Sequence, residues 1–393
     1  MLKIRRQKSD SNINYLAAFE ELGHRIVDDI TSDNIFLGYT EPLLTLGDGI
    51  RETNAIAYLG PAKSRSNLCI ATSTTATKVL IENGMAIGVQ ITTSSGETYK
   101  LYATKEVILS AGAINSPKLL MLSGVGPKKH LDSLGIPVVA DLPVGQNLSD
   151  HNLAVVLIQM DEIHGPIPPV NPYTFPLPIT TGYVALDKKQ TYPDYQTINL
   201  VIPHDSPTLL QVCVNVFKYS DEICNKFYAA GINRTTFFAV PNLLVTKSRG
   251  QILLASNDPT DDPLVYTGMY SDKSDLKLMG KCLADFASVL NTKYFRSVNA
   301  TLVDTGLCSD KSGIEFWECY ALAMSGSMWH YAGTCAMGSV VDNTLRVKSI
   351  QGLRVVDASV MPAQVSGNIN GVVTMIAERG AEFILKTWDI SVD

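Results

Sequence analysis

Residues 106–126 read EVILSAGAINSPKLLMLSGVG and join a strand pattern to a helix pattern through small residues. The run at 106–110 is short and apolar, which predicts a buried strand. Ser116 and Pro117 are typical of a helix start, with Ser116 as the cap and Pro117 at the first helical position. Gly124 is well placed to end that helix. The stretch therefore predicts a strand, a tight turn and a helix, and we expect an α/β fold.

The residues before this stretch predict two different structures. Residues 13–30 read as an amphipathic helix whose regularity is broken at Gly23. From residue 67 the pattern changes to short β-type runs, beginning with LCIATS. Turn-formers at 82–84 (ENG) and 94–96 (SSG) separate the later runs. We expect a hairpin meander that ends in the buried strand at 106–110.

The residues after 152 indicate a second packing unit. Dispersed prolines lead into strand-like runs, and helical patterns follow at 273–290 and 314–324. From residue 325 the chain is again punctuated by glycine, with a strand pattern at 353–356 and a helix pattern from about 372 to 386. A chain of 393 residues is longer than one hydrophobic core usually grows, so two units are expected.

Composition limits the classes of partner. Apolar residues make up 46% of the chain and charged residues 18%, so the chain can bury a large core. The net charge is −6, with no basic block beyond residues 3–8, which argues against nucleic acid as a partner. No apolar run approaches the roughly 18 residues that a membrane-spanning helix needs. A small-molecule substrate and no membrane span are therefore predicted.

Cysteines and histidines favour neither a disulfide framework nor a metal site. The seven cysteines are sparse and irregularly spaced, and we expect neither a set of disulfides nor a zinc site from them. The six histidines show no pairing at ligand spacing, so no metal is predicted. The opening MLKIRRQKSD carries the charge of a signal peptide, but no apolar run follows it, so no export signal is predicted.

Four blocks of sequence carry a resemblance to a known family. They are GAINSPKLLMLSGVG at 112–126, VGQNLSDH at 144–151, WHYAGTCAMG at 329–338 and GLRVVDASVMPAQVSGNIN at 352–370. All four resemble motifs of the glucose-methanol-choline (GMC) oxidoreductases and occur in the family's order. KSRGQILLASNDP at 247–259 and FWECYALAMSGSMWH at 316–330 resemble the arthropod glucose-dehydrogenase-like branch. The resemblance spans nearly the whole chain.

The resemblance implies a fold and a division into domains. The fold is an α/β, Rossmann-like FAD-binding domain of the GMC type, here partial, beside an α+β substrate domain of sheet and helices. Residues 1–60 would flank the substrate side, and residues 156–325 would form the substrate domain. The flavin domain would be assembled from residues 61–155 and from residues 326–393, which carry the active-site motifs.

Two residues are implied to carry the reaction. His330 matches the base that removes the hydroxyl proton while a hydride goes to flavin N5, and a neutral imidazole suits that task. Asn368 falls where the family carries its second active-site residue, and its amide can donate to the substrate oxygen. Because both residues must reach one substrate oxygen, we expect their side chains to lie close together. The alternative is that Asn368 and Asn370 only occupy left-handed turn positions. His151 could be a second base, although a structural role is favoured.

A further set of residues is implied to bind FAD. Asp357 and Ala358 match positions that approach the diphosphate and the ribityl chain, and an Asp after a strand is otherwise usually a helix cap. Small residues would let the backbone come close to the dinucleotide, and Ala76 would offer backbone groups to the adenine. The complete set of cofactor-binding candidates is Ala76, Ser110, Ala111, Gly112, Asp357, Ala358, Asn368 and Asn370.

One departure from the family pattern leads to a second hypothesis about function. Family members carry a GxGxxG turn that holds the flavin diphosphate at a helix N-terminus, and these 393 residues contain none. We therefore expect the C-terminal two-thirds of a family member. The first function is an FAD-dependent oxidoreductase acting on the CH–OH group of an alcohol, sugar or choline-like donor. The second is a catalytically silent, truncated protein or gene-model fragment. The electron acceptor and the compartment stay open, although the resembling branch is often secreted.

Overall fold

The computed structural model describes residues 3–6, 9–31, 36–47, 50–161 and 177–390, which fall into two compact units. The first unit lies within Met1–Cys69, Asn152–Leu244 and Ser274–Gly326, and the second within Ile70–His151, Val245–Lys273 and Ser327–Asp393. Residues 245–273 thus pack with the second unit, whereas the sequence analysis placed them in the middle segment. The predicted mixed α/β class is confirmed.

A sheet of nine strands dominates the first unit. Its strand Tyr195–Ile202 pairs antiparallel with Ile179–Val184, Thr235–Ala239 and Asn242–Leu243. The remaining strands of this sheet are Gly38–Thr40, Asn152–Ala154, Val156–Met160, Thr301–Leu302 and Ser325–Ser327. Two further pairs join Arg5–Arg6 to Leu43–Leu44 and Leu46–Gly47 to Ile50–Arg51.

Helices cover this sheet and bury aromatic side chains. The first predicted helix, 13–30, ends at Glu21, because Gly23 adopts a left-handed φ of +85°. Tyr15 and Phe19 lie four residues apart on its buried face, and the Phe19 ring stacks on Tyr39 at 3.7 Å. The α-helices of the unit are Ile13–Glu21, Gly60–Ala62, Thr208–Gln211, Asp221–Ala230, Lys273–Ala287, Lys293–Ser297 and Gly313–Ala323, with π-helices at Ala55–Leu59 and Val212–Phe217 and 3-10 helices at Asp10–Asn12 and Ser288–Asn291.

Two disulfides in the first unit show that the expectation from cysteine spacing was wrong. Cys213 bonds Cys224 and Cys308 bonds Cys319, and the partners are 11 positions apart in both cases. Cys213 and Cys224 lie on two consecutive helical segments, and Cys308 lies in the loop before the helix that carries Cys319; the Cα–Cα distances are 5.6 and 6.0 Å. The prediction considered the spacing of all seven cysteines together, and so the separation of 11 positions that both bonded pairs share was not recognised.

The second unit contains the predicted meander. Thr74–Glu82, Met85–Thr93 and Thr98–Tyr102 form a three-stranded antiparallel sheet. Asn83 and Gly84 both adopt positive φ, as the favoured two-residue hairpin turn requires. The meander is confirmed, whereas the LCIATS run at 68–73 does not form a strand.

The strand, turn and helix that opened the sequence analysis lie in the same unit. The strand Val107–Leu109 pairs in parallel with Leu353–Val355, and the side chains of Val107 and Leu109 are buried as predicted. The helix spans Gly112–Leu122 and so begins four residues before the predicted cap, Ser116. The hydroxyl of Ser116 is instead buried inside the helix, where it accepts a hydrogen bond from the N–H of Ala111.

Short elements and one long helix complete the second unit. The shorter elements are the helix Lys128–Ser133, the 3-10 helix Ala358–Val360 and the strand pairs Val125–Gly126 with Ala140–Asp141 and Gln251–Leu253 with Leu264–Tyr266. The helix Asn370–Thr387 follows the last motif, close to the predicted 372–386. Across the described ranges, no helix is both long and apolar enough to cross a membrane.

A buried ion pair ties the last turn of this helix to the parallel strands. Arg354 is fully buried, and its Nε donates to Oε2 of Glu106 at 2.6 Å. A guanidinium nitrogen of Arg354 also donates to the Thr387 hydroxyl, and the Trp388 indole donates to Oε1 of Glu106. Both charges are therefore compensated by several hydrogen bonds, as a buried pair requires.

Candidate functional site

His330 and Asn368 meet in the second unit although 38 positions separate them. Nδ2 of Asn368 lies 3.5 Å from Nε2 of His330. Asn368 is exposed and His330 is half-buried, so both residues are accessible to solvent. The two side chains thus lie close together, as expected from their need to reach one substrate oxygen.

A second histidine contacts His330 from the other side. Nδ1 of His151 lies 2.8 Å from Nδ1 of His330, and the two rings are nearly perpendicular, at 88°. His151 is fully buried, and its Nε2 lies 3.0 Å from the carbonyl oxygen of Val365. A structural role was favoured for His151 from the sequence, and its contact with His330 was not predicted.

Asp150 holds the backbone of both histidines. Its Oδ1 accepts hydrogen bonds from the N–H groups of His151, at 2.8 Å, and of His330, at 2.9 Å. Its Oδ2 accepts a short hydrogen bond from the Ser327 hydroxyl. Burial raises the pKa of Asp150 to about 6, although the bonds from Ser327, His330 and His151 oppose that rise. One carboxylate thus joins the two backbone segments that carry the histidines.

The backbone just before His330 is strained. Trp329 has a φ of +55°, which is rare for a bulky residue and costs about 1–3 kcal/mol. Its N–H donates to the Ser327 hydroxyl, and its side chain is half exposed. Such strain persists only where surrounding contacts enforce it. Here the Ser327 hydroxyl accepts from the N–H of Trp329 and is itself held by its hydrogen bond to Asp150.

Gln364 is a further polar residue of the site that the sequence analysis missed. Its Nε2 donates to the backbone carbonyl of His330 at 2.6 Å. Its Oε1 is buried and has no hydrogen-bond partner among the described residues. A single sequence offers no signal for either contact, because Gln364 reads as one polar residue in a loop.

Five of the eight candidate cofactor residues lie at one end of the parallel strand pair. Ser110–Gly112 follow the strand Val107–Leu109, and Asp357 and Ala358 follow the strand Leu353–Val355. Because parallel strands end at the same edge, these two groups are neighbours. The Ser110 hydroxyl donates to the carbonyl of Val356 at 2.9 Å.

The carboxylate of Asp357 is occupied by internal donors. Its Oδ2 accepts from the N–H of Gly112 at 2.9 Å and from the Ser116 hydroxyl at 2.6 Å. Its Oδ1 accepts from the N–H of Ser359 and so caps the short 3-10 helix. Asp357 therefore shapes the turn at 110–112, and its neighbour Ala358 is buried.

The turn itself is open to solvent. Gly112 has a φ of +82°, and a Cβ built on it would meet no atom within 4 Å. Ser110 and Ala111 are exposed, as is Ala76 in the meander strand Thr74–Glu82. Asn370 is also exposed, at the start of the helix Asn370–Thr387. The turn at 110–112 thus exposes small side chains and backbone groups, and no contact joins Ala76 or Asn370 to it among the hydrogen bonds of the described residues.

The imidazole of His330 is held neutral. Burial, and to a smaller extent the nearby His151, lower the pKa of His330 to about 4. We expect NMR titration of the His330 ring in the folded protein to show proton uptake near pH 4. In denaturant the same ring should titrate near the ordinary value of about 6.5. A folded midpoint at or above that value would contradict the burial argument.

The sign of the linked stability follows from the same shift. Between pH 6.5 and 4 the unfolded chain binds a proton at His330 that the folded chain does not. The stability that His330 contributes is therefore fully present above pH 6.5 and is lost as the pH falls toward 4. Asp150 acts in the opposite sense, because its raised pKa gives stability at low pH that is lost as the pH rises through about 6.

Within the described part of the chain, no group of three or more His, Cys, Asp or Glu side chains is arranged to hold a metal ion. Most polar groups around His330 form hydrogen bonds with other protein atoms, and the ring of His330 contacts a second imidazole through the two Nδ1 atoms at 2.8 Å. The arrangement suits removal of a proton by a neutral imidazole that an amide and a second imidazole flank.

Comparison with family models identifies related sequences. Two models described as GMC oxidoreductase match residues 2–153 and 246–377. Ecdysone oxidase of Bombyx mori is 38% identical over 397 residues, which cover 96% of this chain and 58% of that protein. An uncharacterised GMC-type oxidoreductase of Mycobacterium bovis is 32% identical, covering 98% of this chain and 72% of that protein.

Comparison with solved structures supports the same fold. Pyridoxine 4-oxidase from Mesorbium loti superposes with a TM-score of 0.81 at 24% identity, covering 97% of this chain and 71% of that one. At that identity the likeness concerns the fold alone. The chain spans 58% and 64% of the length of two insect ecdysone oxidases that it matches, which is less than two thirds in both cases.

Proposed function

This chain belongs to the GMC oxidoreductase family, and we propose that it is an FAD-dependent oxidoreductase that acts on the CH–OH group of a small-molecule alcohol. The observation that carries the proposal is the pairing of Nε2 of His330 with the amide of Asn368 at 3.5 Å. A neutral base and a hydrogen-bond donor at that separation can both reach one hydroxyl oxygen.

We propose that FAD binds at the exposed turn formed by residues 110–112 of the second unit. Gly112 leaves room where any other residue would place a Cβ, and the small residues around it allow the backbone to approach a dinucleotide. Asp357 would act by fixing the turn, since its carboxylate is already bonded to Gly112 and Ser116. The residues proposed to hold FAD are Ala76, Ser110, Ala111, Gly112, Asp357, Ala358, Asn368 and Asn370.

The protein side of the reaction follows from the protonation of His330. Its low pKa keeps Nε2 available as an acceptor at neutral pH, so it can take the hydroxyl proton of an alcohol. The Asn368 amide would donate to the same oxygen without competing for the proton. Asp150 holds the backbone of His330 in place throughout. FAD, when bound, supplies the acceptor for the two electrons of the alcohol C–H bond.

Flavin chemistry provides the direct test. Protein loaded with FAD should show flavin absorbance and should lose that absorbance when a substrate alcohol is added without oxygen. The alcohols to compare are a sugar, choline, an aromatic alcohol and ecdysone, the last because one relative is named ecdysone oxidase. FAD binding without bleaching by any donor would favour the catalytically silent alternative.

A matched pair of glycine substitutions tests the proposed FAD edge. Gly112 and Gly96 have φ of +82° and +84°, and neither meets an atom within 4 Å at its Cβ position. Gly112→Val and Gly96→Val should therefore both lose about 1–3 kcal/mol of stability from backbone strain. Only Gly112→Val should also weaken FAD binding, by about tenfold or more, which corresponds to about 1.4 kcal/mol.

Fluorescence titration with FAD measures this difference. Gly96 lies in the turn between two meander strands of the same unit, so its variant controls for strain alone. Equal FAD affinity in the two variants would remove the turn at 110–112 from the proposed site.

A further inference from the structure

The two histidines of the site determine each other's protonation. His151 is fully buried, and both of its ring nitrogens have a hydrogen-bond partner, the Val365 carbonyl at Nε2 and His330 at Nδ1. A carbonyl oxygen only accepts, so Nε2 of His151 must carry a proton. A neutral imidazole carries one proton, and Nδ1 of His151 is therefore an acceptor.

The tautomer of His330 follows from this chain of bonds. Because Nδ1 of His151 accepts, Nδ1 of His330 must donate across the 2.8 Å contact. The single proton of a neutral His330 then lies on Nδ1, and Nε2 has a free lone pair. That lone pair faces the Asn368 amide, whose Nδ2 is a donor, so the opposite side of the ring agrees with the assignment.

The other assignments are costly. If Nδ1 of His151 donated instead, both of its nitrogens would carry protons, and a cation would be buried with no exposed surface. If neither Nδ1 carried a proton, two lone pairs would face each other at 2.8 Å. Rotating the His151 ring by half a turn would place carbon atoms against Val365 and His330 and lose both hydrogen bonds.

We propose that His151 is a positioning residue that holds the proton of His330 on Nδ1 and so keeps Nε2 free to receive the substrate proton. The catalytic part of this inference rests on the proposed function, whereas the tautomer does not. After proton uptake, the Nδ1–H of the His330 cation would still point at the acceptor nitrogen of His151. His151 would thus orient the base both before and after it takes up the proton.

The tautomer can be measured without cofactor or substrate. In the full chain with ¹⁵N-labelled histidine, long-range ¹H–¹⁵N spectra distinguish a protonated ring nitrogen from an unprotonated one. His330 should show a protonated Nδ1 and an unprotonated Nε2, with its signals assigned by their loss in His330→Gln. His130 provides an internal reference, because its Nε2 accepts from the N–H of Leu254 at 3.0 Å and its proton must lie on Nδ1.

Two substitutions of similar size separate positioning from packing. His151→Asn keeps an acceptor oxygen near the place of Nδ1, so His330 should keep its tautomer. His151→Leu removes the acceptor, and His330 should then populate the Nε2-protonated form. In FAD-loaded protein, His151→Leu should lower kcat by about 10²–10³-fold with KM little changed, since a wrong tautomer of a catalytic histidine can cost about 10⁴-fold. His151→Asn should restore most of that loss.

Each outcome decides the inference. A wild-type spectrum with the proton on Nε2 of His330 would overturn it, and so would a folded His151→Leu protein whose His330 keeps the wild-type tautomer. If His151→Leu does not fold, the wild-type spectrum and the His151→Asn spectrum still decide. If the tautomers are as stated but no alcohol reduces bound FAD, the proposed function fails while the tautomer assignment stands.

Discussion

Replacing His330 by alanine is expected to lower turnover of the FAD-loaded protein by about 10²–10⁴-fold, the contribution typical of a positioned general base. The loss should fall mainly on kcat, because the neutral ring acts when the hydroxyl proton leaves. FAD should still bind, since the proposed cofactor contacts lie mainly at the strand edge around Gly112 and Asp357. Added imidazole should restore part of the activity by entering the space that the side chain left.

The control for this prediction is His204→Ala. His204 lies in the first unit and pairs with Asp205, so its loss should leave turnover within about twofold, as for surface substitutions generally. An alanine at position 330 that left turnover unchanged would remove the base role from His330. Loss of bound FAD in that variant would instead indicate a structural role.

Removing one partner of the buried ion pair should have the largest effect on stability. Glu106→Ala leaves the guanidinium of Arg354 buried and uncompensated, which typically costs about 3–5 kcal/mol. The substitution also removes the acceptor of the Trp388 indole. Urea unfolding should show the loss as a lower midpoint.

Two comparisons make this prediction specific. Glu382→Ala breaks an exposed pair with Arg379 in the same unit and should change stability by less than about 1 kcal/mol. The double variant Glu106→Leu with Arg354→Met removes both buried charges and should recover most of the loss. If Glu106→Ala were no more destabilising than Glu382→Ala, the buried pair would not have the energetic role assigned to it.

The sequence predicted those parts of the molecule that local pattern determines. The strand Val107–Leu109 and the turn at Asn83 and Gly84 follow from an apolar run and from residues that tolerate positive φ. The start of the next helix was misplaced, because Ser116 has the chemistry of a cap. Its hydroxyl is used four residues inside the helix, where it also bonds Asp357, a residue 241 positions away.

The same distinction applies to the candidate site: motifs pointed to some of its residues, whereas the contacts between distant residues could not be predicted. His330 and Asn368 were identified through motifs, and their proximity followed from the need to reach one oxygen. His151 was assigned a structural role because its contact with His330 spans 179 positions and its bond to Val365 spans 214. No periodicity relates such distant residues, so the hydrogen bonds that determine a tautomer could be found only once the backbone was in place.

The two disulfides have a consequence for the thermodynamics of the unfolded chain. Each one closes a loop of 11 positions, and a crosslink of that size restricts the denatured ensemble enough to contribute roughly 2–3 kcal/mol. Both disulfides belong to the first unit, which contains the nine-stranded sheet. The second unit, which contains His151 and His330, has no disulfide among its described residues. A thiol reductant should therefore raise the conformational entropy of the first unit in its unfolded state and so destabilise that unit. The unfolded state of the second unit should keep the same conformational entropy.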